Sequence, residues 1–259
     1  MSVTASSILA TLKVVEHERA LRAADHDLAG KVTAIKAFQQ RRFSHTYADL
    51  LSSGRYGAVA RFFLDELYGP SDFTQRDAQF SRVVPTMVRL FPREVVETVA
   101  DLAQLHALSE QLDTEMARHV AGPDVDPRQY LQAWRAIGRA DDRQAQIDLT
   151  LVVAQRLDRF TRKPLLRNSL RLMRAPARAA GLGALQSFLE SGFDTFGAMK
   201  GADEFVQLVQ ERERALASAL FFPADLSDDD AAVASRQALY CLPDEDATAA
   251  APGDNRVTR

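Results

Sequence analysis

A chain of 259 residues, 46% of them hydrophobic, is long enough to bury a substantial core without disulfides. The single cysteine, Cys241, excludes an internal disulfide. No window approaches the ~18 consecutive apolar residues of a membrane-spanning helix, and the N-terminus lacks the basic and apolar stretches of a secretory signal. We therefore expect a cytoplasmic protein without a transmembrane segment.

The formal net charge of -3 is distributed unevenly along the chain. Residues 223–259 contain eight acidic and three basic residues, a balance of -5, so the rest of the chain carries +2. This segregation predicts a mildly basic body followed by an acidic tail.

Apolar residues return at intervals of three and four almost everywhere, and alternating strand patterns are nearly absent. The pattern predicts an all-α fold, a single-domain bundle of about eight helices over residues 1–222. Pro85 is expected to kink or split one of these helices. The predicted helices cover about residues 7–40, 47–68, 74–91, 92–119, 127–139, 142–162, 165–174, 182–199 and 202–221.

The segment RFFLDELYGP, residues 61–70, combines an aromatic pair with a complete helix stop signal. Gly69 favours the left-handed conformation that follows a helix, and Pro70 lacks the amide hydrogen needed to continue it. We interpret this segment as a buried helix with a defined end.

Beyond residue 222 the helical periodicity is lost while Asp, Ala and Pro accumulate. This composition predicts a disordered acidic tail over residues 223–259. Within it, only residues 234–242 have a pattern that permits local order.

The five histidines offer weak support for a metal site. None has a carboxylate three residues before it, which excludes the Glu-x-x-His motif of di-iron bundles. Pairs one helical turn apart do occur, but surface ion pairing explains them equally well. These pairs are His45 with Asp49, His106 with Glu110, and Glu115 with His119. We predict no metal site and no cofactor.

Four aromatic residues could line a pocket for haem, a lipid or another hydrophobic ligand. These residues are Phe62, Phe63, Phe188 and Phe196. Their helical spacing describes a core-facing stripe equally well, and aromatic stripes are usually core. The pocket is therefore the alternative interpretation.

Evidence for catalysis is weaker still. Asp65 lies one turn after Arg61, so an ordinary ion pair is the simplest role for this carboxylate. The chain contains no Gly-x-Ser-x-Gly motif, and Cys241 has no histidine near it in sequence. We assign no catalytic residue and do not expect an enzyme.

Seven basic residues follow one another at intervals of three or four, which would align them on one face of a continuous helix. They are Arg156, Arg159, Lys163, Arg167, Arg171, Arg174 and Arg178. We call this set the arginine stripe.

A surface of this kind can bind an anionic ligand or an acidic protein partner, with Arg167, Arg171, Arg174 and Arg178 as the candidate contacts. The acidic tail is an intramolecular alternative. A solvated face, or one paired with acids between residues 94 and 126, explains the stripe equally well. We expect no nucleic-acid partner, because the chain is acidic overall and no aromatic residues are interleaved with the arginines.

Three segments together resemble a family of uncharacterised bacterial proteins marked by an FFLxELYGP-type motif. They are RFFLDELYGP, RDAQFSRVVP (residues 76–85) and the stretch from Leu170 to Phe205. The resemblance spans about residues 45–220 and is typical of proteobacterial members. It implies an all-helical fold and brings no activity, cofactor or catalytic residue.

Taken together, these patterns predict a non-catalytic cytoplasmic interaction or regulatory protein. The alternative is a helical bundle that binds a hydrophobic ligand or haem, and an enzyme of unknown reaction comes third. Nothing in the sequence indicates an oligomeric state.

Overall fold

The structure, a computed structural model, describes residues 3–66, 73–222 and 227–243. Within these residues the chain forms thirteen helices and no strand, so the all-α prediction is confirmed and the number of about eight is wrong. The helices are α1 (Ala5–Ala24), α2 (His26–Thr46), α3 (Ala48–Ser52), α4 (Gly57–Glu66), α5 (Thr74–Leu90), α6 (Arg93–Ala117), α7 (Pro127–Ile137), α8 (Ala140–Thr161), α9 (Pro164–Leu172), α10 (Arg174–Ala179), α11 (Gly183–Met199), α12 (Asp203–Leu220) and α13 (Asp228–Tyr240).

Local side-chain caps divide the first two predicted helices, which cover about residues 7–40 and 47–68. Asp25 is extended (φ -135°, ψ 99°), and its carboxylate accepts a hydrogen bond from the Leu28 amide at 3.1 Å, which starts α2. Farther along, the Ser53 hydroxyl accepts from the amides of Arg55 and Tyr56 at 3.2 Å, between α3 and α4. Short polar side chains compete in this way with the helical ladder.

Pro85 does not split its helix, since α5 continues from Thr74 to Leu90 around it. The proline lies on the exposed side of α5, where its ring displaces no core residue. The predicted stop at Gly69-Pro70 lies outside the described residues. Arg61 donates to the carbonyl of Leu51 at 3.0 Å, so the expected pair with Asp65 is replaced by a backbone contact.

The 25-residue helix α6 packs against α1, α2, α7 and α8. Buried apolar residues form three clusters around this arrangement. One joins α2, α6, α7, α12 and α13, a second joins α2, α4, α8, α11 and α12, and a third joins α1, α5 and α6. None of the described helices has the length and apolarity needed to cross a membrane.

Part of the predicted disordered tail is helical. Ser227 caps α13 by accepting a hydrogen bond from the Asp230 amide at 3.2 Å. The helix packs against α7 and α12, and its Ala238 is buried in the first cluster together with Leu242, which follows the helix. Acidic composition does not reveal that these two apolar residues are buried. Disorder is therefore wrong for residues 227–233, whereas residues 234–242 have the local order that their pattern permits. Residues 244–259 lie outside the described residues.

The packing of this C-terminal segment predicts a measurable difference between two neighbouring side chains. Leu242 is 2% exposed and Tyr240 is 86% exposed. We expect Leu242→Ala to lower the free energy of unfolding by about 2–4 kcal/mol, because it leaves a cavity in the core. Tyr240→Ala should change it by less than about 0.5 kcal/mol. Urea unfolding followed by circular dichroism compares the two, and equal midpoints would show that the segment does not contribute to the core.

Candidate functional site

The arginine stripe is distributed over three helices and not over one continuous face. Arg156 and Arg159 lie in α8, which ends at Thr161. Pro164 then starts α9, and a second break at Met173 separates α9 from α10. The seven residues therefore do not share one continuous helix, and the predicted ranges 142–162 and 165–174 already place a break between α8 and α9.

Acids of the same chain neutralise part of the stripe. Two pairs involve α6, Arg156 with Asp101 at 2.6 Å and Lys163 with Glu94 at 2.8 Å. Two more involve α11, Arg167 with Asp194 at 2.6 Å and Arg174 with both carboxylate oxygens of Glu190 at 2.9 and 3.0 Å.

The remaining two candidate contacts, Arg171 and Arg178, are exposed and form no ion pair within the described part of the chain. Arg178 does interact electrostatically with the Glu190 carboxylate, without forming an ion pair in the described residues. Together with the Arg174 hydrogen bond, which has the larger effect, it lowers the pKa of the Glu190 carboxyl. In the described residues, Arg167 and Arg174 are therefore held by ion pairs, whereas Arg171 and Arg178 are not.

Helix α9 exposes apolar side chains beside these cations. Leu165 is 81% exposed, Leu172 is 79% exposed and Met173 is 52% exposed. In the described part of the chain, α9 buries none of its own residues. Leu165 and Leu172 are seven residues apart and so lie on the same side of the helix. Exposed apolar side chains grouped with charge are typical of contact surfaces.

The four predicted pocket aromatics pack against one another. Phe62 lies 5.6 Å from Phe188, 6.5 Å from Phe196 and 6.4 Å from Phe63 between ring centroids. Gly192 fits against Phe62 so closely that a Cβ there would lie 3.3 Å from the ring. These aromatics fill the space between α4 and α11, as the core interpretation predicts.

A small cavity of about 50 Å³ lies elsewhere, between α2, α7, α8 and α12. Of the four aromatics, only Phe63 lines it. Drug-sized ligands occupy pockets of roughly 300–1,000 Å³, so this cavity is too small for haem or a lipid.

Polar groups from distant parts of the sequence surround this cavity. Arg42 and the hydroxyl of Tyr47 both donate to the carboxylate of Glu213. Arg143 is 3% exposed, donates to Gln146 at 2.9 Å and lies 4.0 Å from the centre of the Trp134 ring. Sequence analysis missed this group because its members are isolated polar residues on four different helices.

A second buried polar network connects α6 to α1 and α2. Glu110 is 4% exposed, and it accepts hydrogen bonds from Arg22 and from Lys36, the latter at 2.7 Å. One turn later, Asp113 accepts from Gln39 at 2.8 Å. Burial would raise the pKa of Glu110, but Lys36 and Arg22 outweigh it and lower this pKa to about 2. For Asp113, burial prevails and raises the pKa.

His106 extends this network toward α5. It contacts Asp77 at 2.9 Å and not Glu110, the partner one turn away that its spacing suggested. Burial opposes ionisation of Asp77, yet His106 and Arg19 together lower its pKa to about 2. Among the described residues, no group of three His, Cys, Asp or Glu side chains is placed to hold a metal ion.

The low pKa of Glu110 predicts a specific loss of stability in acid. A carboxyl whose pKa falls from 4.5 to about 2 on folding stabilises the protein above pH 4.5. That contribution is lost as pH falls from 4.5 toward 2, and by pH 3 the loss is about 2 kcal/mol. Glu110→Gln should therefore be less stable at pH 7 but lose about 2 kcal/mol less than the wild type between pH 6 and pH 3.

Urea midpoints at the two pH values measure this difference. Glu97→Gln is the control, because Glu97 lies on the same helix and, among the described residues, pairs only with Arg93, which is 86% exposed. If Glu110→Gln and Glu97→Gln have the same pH dependence, the buried pairs of Glu110 do not stabilise the fold.

Comparison with known proteins gives a family and no activity. Searches of curated proteins and of solved structures each found no match. The sequence model of one family matches residues 18–225, which include the end of α1 and all of α2 as well as the expected range of about 45–220. Bacterial origin and the FFLxELYGP motif stay predictions. Because the match takes in most of the chain, the protein belongs to the family described as a domain of unknown function, DUF8198.

Proposed function

We propose that this chain is a non-catalytic cytoplasmic interaction or regulatory protein, and that α9 and α10 bind an acidic segment of a partner protein. The proposal depends on one observation: Arg171 and Arg178 are exposed without an ion pair in the described residues, in the same segment of the chain as the exposed Leu165 and Leu172. Exposed cations and exposed apolar side chains in one segment suit a partner that is acidic and partly apolar.

Anchoring of the neighbouring arginines supports this role. Arg167 and Arg174 are held by Asp194 and Glu190 of α11. These pairs orient α9 and α10 on α11, although α9 contributes nothing to the core in the described residues. Arg171 and Arg178 are then presented from a positioned surface, which lowers the ordering cost of binding.

The intramolecular alternative is that the acidic tail occupies this surface, and it applies only to the acids that follow α13. Its residues 228–240 pack on α7 and α12, so removing them would also remove part of the core. The acids that remain for docking are Asp244, Glu245, Asp246 and Asp254. A truncation that begins at residue 244 therefore tests the tail without disturbing α13.

We expect a fluorescently labelled acidic peptide that contains leucine to bind the wild type, with affinity measured by anisotropy. The double variant R171A/R178A should bind about tenfold more weakly, since each exposed charge pair contributes up to about 1 kcal/mol. R118A/R128A is the matched control, because it removes two exposed arginines from other surfaces. Equal losses in the two double variants would contradict a specific site.

The exposed leucines give a second, independent expectation. L165S/L172S keeps every charge, yet it should weaken binding of the leucine-containing peptide and leave binding of polyglutamate unchanged. If neither peptide distinguishes this variant from the wild type, the surface recognises charge alone. Tighter peptide binding by the chain that ends at Pro243 would identify residues 244–259 as a competing occupant.

A further inference from the structure

Helix α13 has an exposed face that begins with acids and continues with apolar side chains. Val233 and Tyr240 are both exposed, and so are Asp229 and Asp230 at the start of the helix. Within the described residues, the Asp230 carboxylate accepts a hydrogen bond from the Ser227 hydroxyl at 2.6 Å, and neither aspartate forms an ion pair. Asp229, Val233 and Tyr240 lie on one side of the helix, because they are four and seven residues apart in turn. This face is acidic and partly apolar.

Helix α9 has a face of the opposite charge and the same spacing. Its exposed Leu165 and Leu172 are seven residues apart, as Val233 and Tyr240 are on α13. Seven residues rise about 10.5 Å along a helix, so both apolar pairs can be in contact when the two helices lie side by side. Arg171, in the last turn of α9, places an exposed cation at one end of this face.

The charges favour an antiparallel arrangement of the two helices. With Val233 against Leu172 and Tyr240 against Leu165, the two acids of α13 lie at the end of α9 that carries Arg171. Opposite charges then meet where the arginine has no ion pair of its own within the described residues.

A parallel arrangement suits the charges less well. It would direct the acids of α13 toward Arg162 and Lys163, which already pair with acids of their own chain. The exposed Arg236, between Val233 and Tyr240 in sequence, opposes no cation in the antiparallel arrangement. It lies across from Asn168 and Ser169, two exposed residues of α9 that offer oxygen acceptors.

Within one chain, α13 is held away from α9. It packs against α7 and α12, whereas α9 packs against α8, α10 and α11. Ala238 lies on the side of α13 opposite Asp229, since the two are nine residues apart, and it is buried in the first cluster with Leu242. Moving α13 onto α9 of the same chain would remove both apolar residues from the core. A second copy can offer its α13 face while they stay buried.

We propose that α13 of one copy of this chain binds antiparallel to α9 of a second copy. Asp229 and Asp230 lie against the arginines Arg171 and Arg178, and the two apolar pairs are in contact. This inference rests on the proposed function, because it names a second copy as the acidic, partly apolar partner of α9 and α10. Each copy carries both faces, so the contact is reciprocal in a twofold dimer or repeats from head to tail.

Sedimentation velocity of the full-length protein measures this association. We expect the average mass to rise above the 28.7 kDa of one chain as the protein concentration approaches about 100 µM, because two short helices form a small and therefore weak contact. Added salt should reverse the rise in part, since it screens exposed charges.

Charge reversal on one face at a time tests the pairing. R171E/R178E and D229K/D230K should each remain at 28.7 kDa at the same concentration, because like charges then face each other. An equimolar mixture of the two variants should associate again, since every mixed contact brings opposite charges together.

Two further variants separate this contact from general effects of charge and folding. V233S/Y240S keeps the acids that begin α13 and should also remain at 28.7 kDa. R118E/R128E reverses two exposed arginines outside α9 and α10, and it should associate as the wild type does.

A wild type that stays at 28.7 kDa overturns the inference. If that monomer still binds the leucine-containing acidic peptide, the proposed function stands with a different partner, and if it does not, both fail. Association that R171E/R178E or V233S/Y240S leaves unchanged also overturns the inference. The chain that ends at Pro243 keeps both faces, so we expect it to associate, and a loss there would assign the contact to the acids after α13 instead.

Discussion

Pairing of buried charge is the constraint on which the arrangement of the N-terminal helices depends. Glu110 lies near the middle of α6 and is almost completely removed from water. A carboxylate in such a place costs several kcal/mol unless cations and hydrogen bonds compensate it. Arg22 from α1 and Lys36 from α2 provide this compensation. A shift of either helix by one turn, about 5.4 Å, would leave the carboxylate without a partner, so these pairs fix the register of both helices on α6.

Pairing of charged side chains has different consequences in the core and on the surface. Inside, Glu213 of α12 accepts from Arg42 and Tyr47, which connects the C-terminal helices to α2. On the surface, Arg167 and Arg174 are matched by acids of α11, and their pairs hold a helix that has little apolar burial. Buried pairs therefore determine the position of helices, whereas exposed pairs only orient a surface. Exposed pairs are weak individually, and salt screens them.

Helix boundaries were predicted well where proline or an N-cap residue marks them strongly. Pro127 after Asp126 begins α7 as expected, and Asp126 accepts a hydrogen bond from the Gln129 amide at 2.7 Å. The breaks at Asp25 and at Ser53 were missed, because an aspartate or a serine within an apolar stripe also occurs in uninterrupted helices. Only the actual cap hydrogen bonds distinguish the two cases. Each of these two breaks adds one helix to the nine predicted ranges, and α10 and α13 add two more in the described residues.

The candidate sites differ in how far the sequence reveals them. The arginine stripe is a local pattern that the sequence displays directly, but which of its arginines are paired depends on Asp194 and Glu190 of α11. The cavity has no local pattern at all. Its Arg42 and Glu213 are 171 residues apart, and only folding brings them into contact.

By itself, the sequence determined that this protein is all-helical, that its basic residues concentrate before residue 180, and that it belongs with an uncharacterised family. These properties follow from the spacing of apolar residues and from composition, which act over a few helical turns. The tertiary structure alone decided which charges are neutralised, which aromatics fill the core, and where a small cavity remains. These depend on contacts such as that between Lys36 and Glu110, 74 residues apart, and a single sequence does not encode such distances as a local pattern.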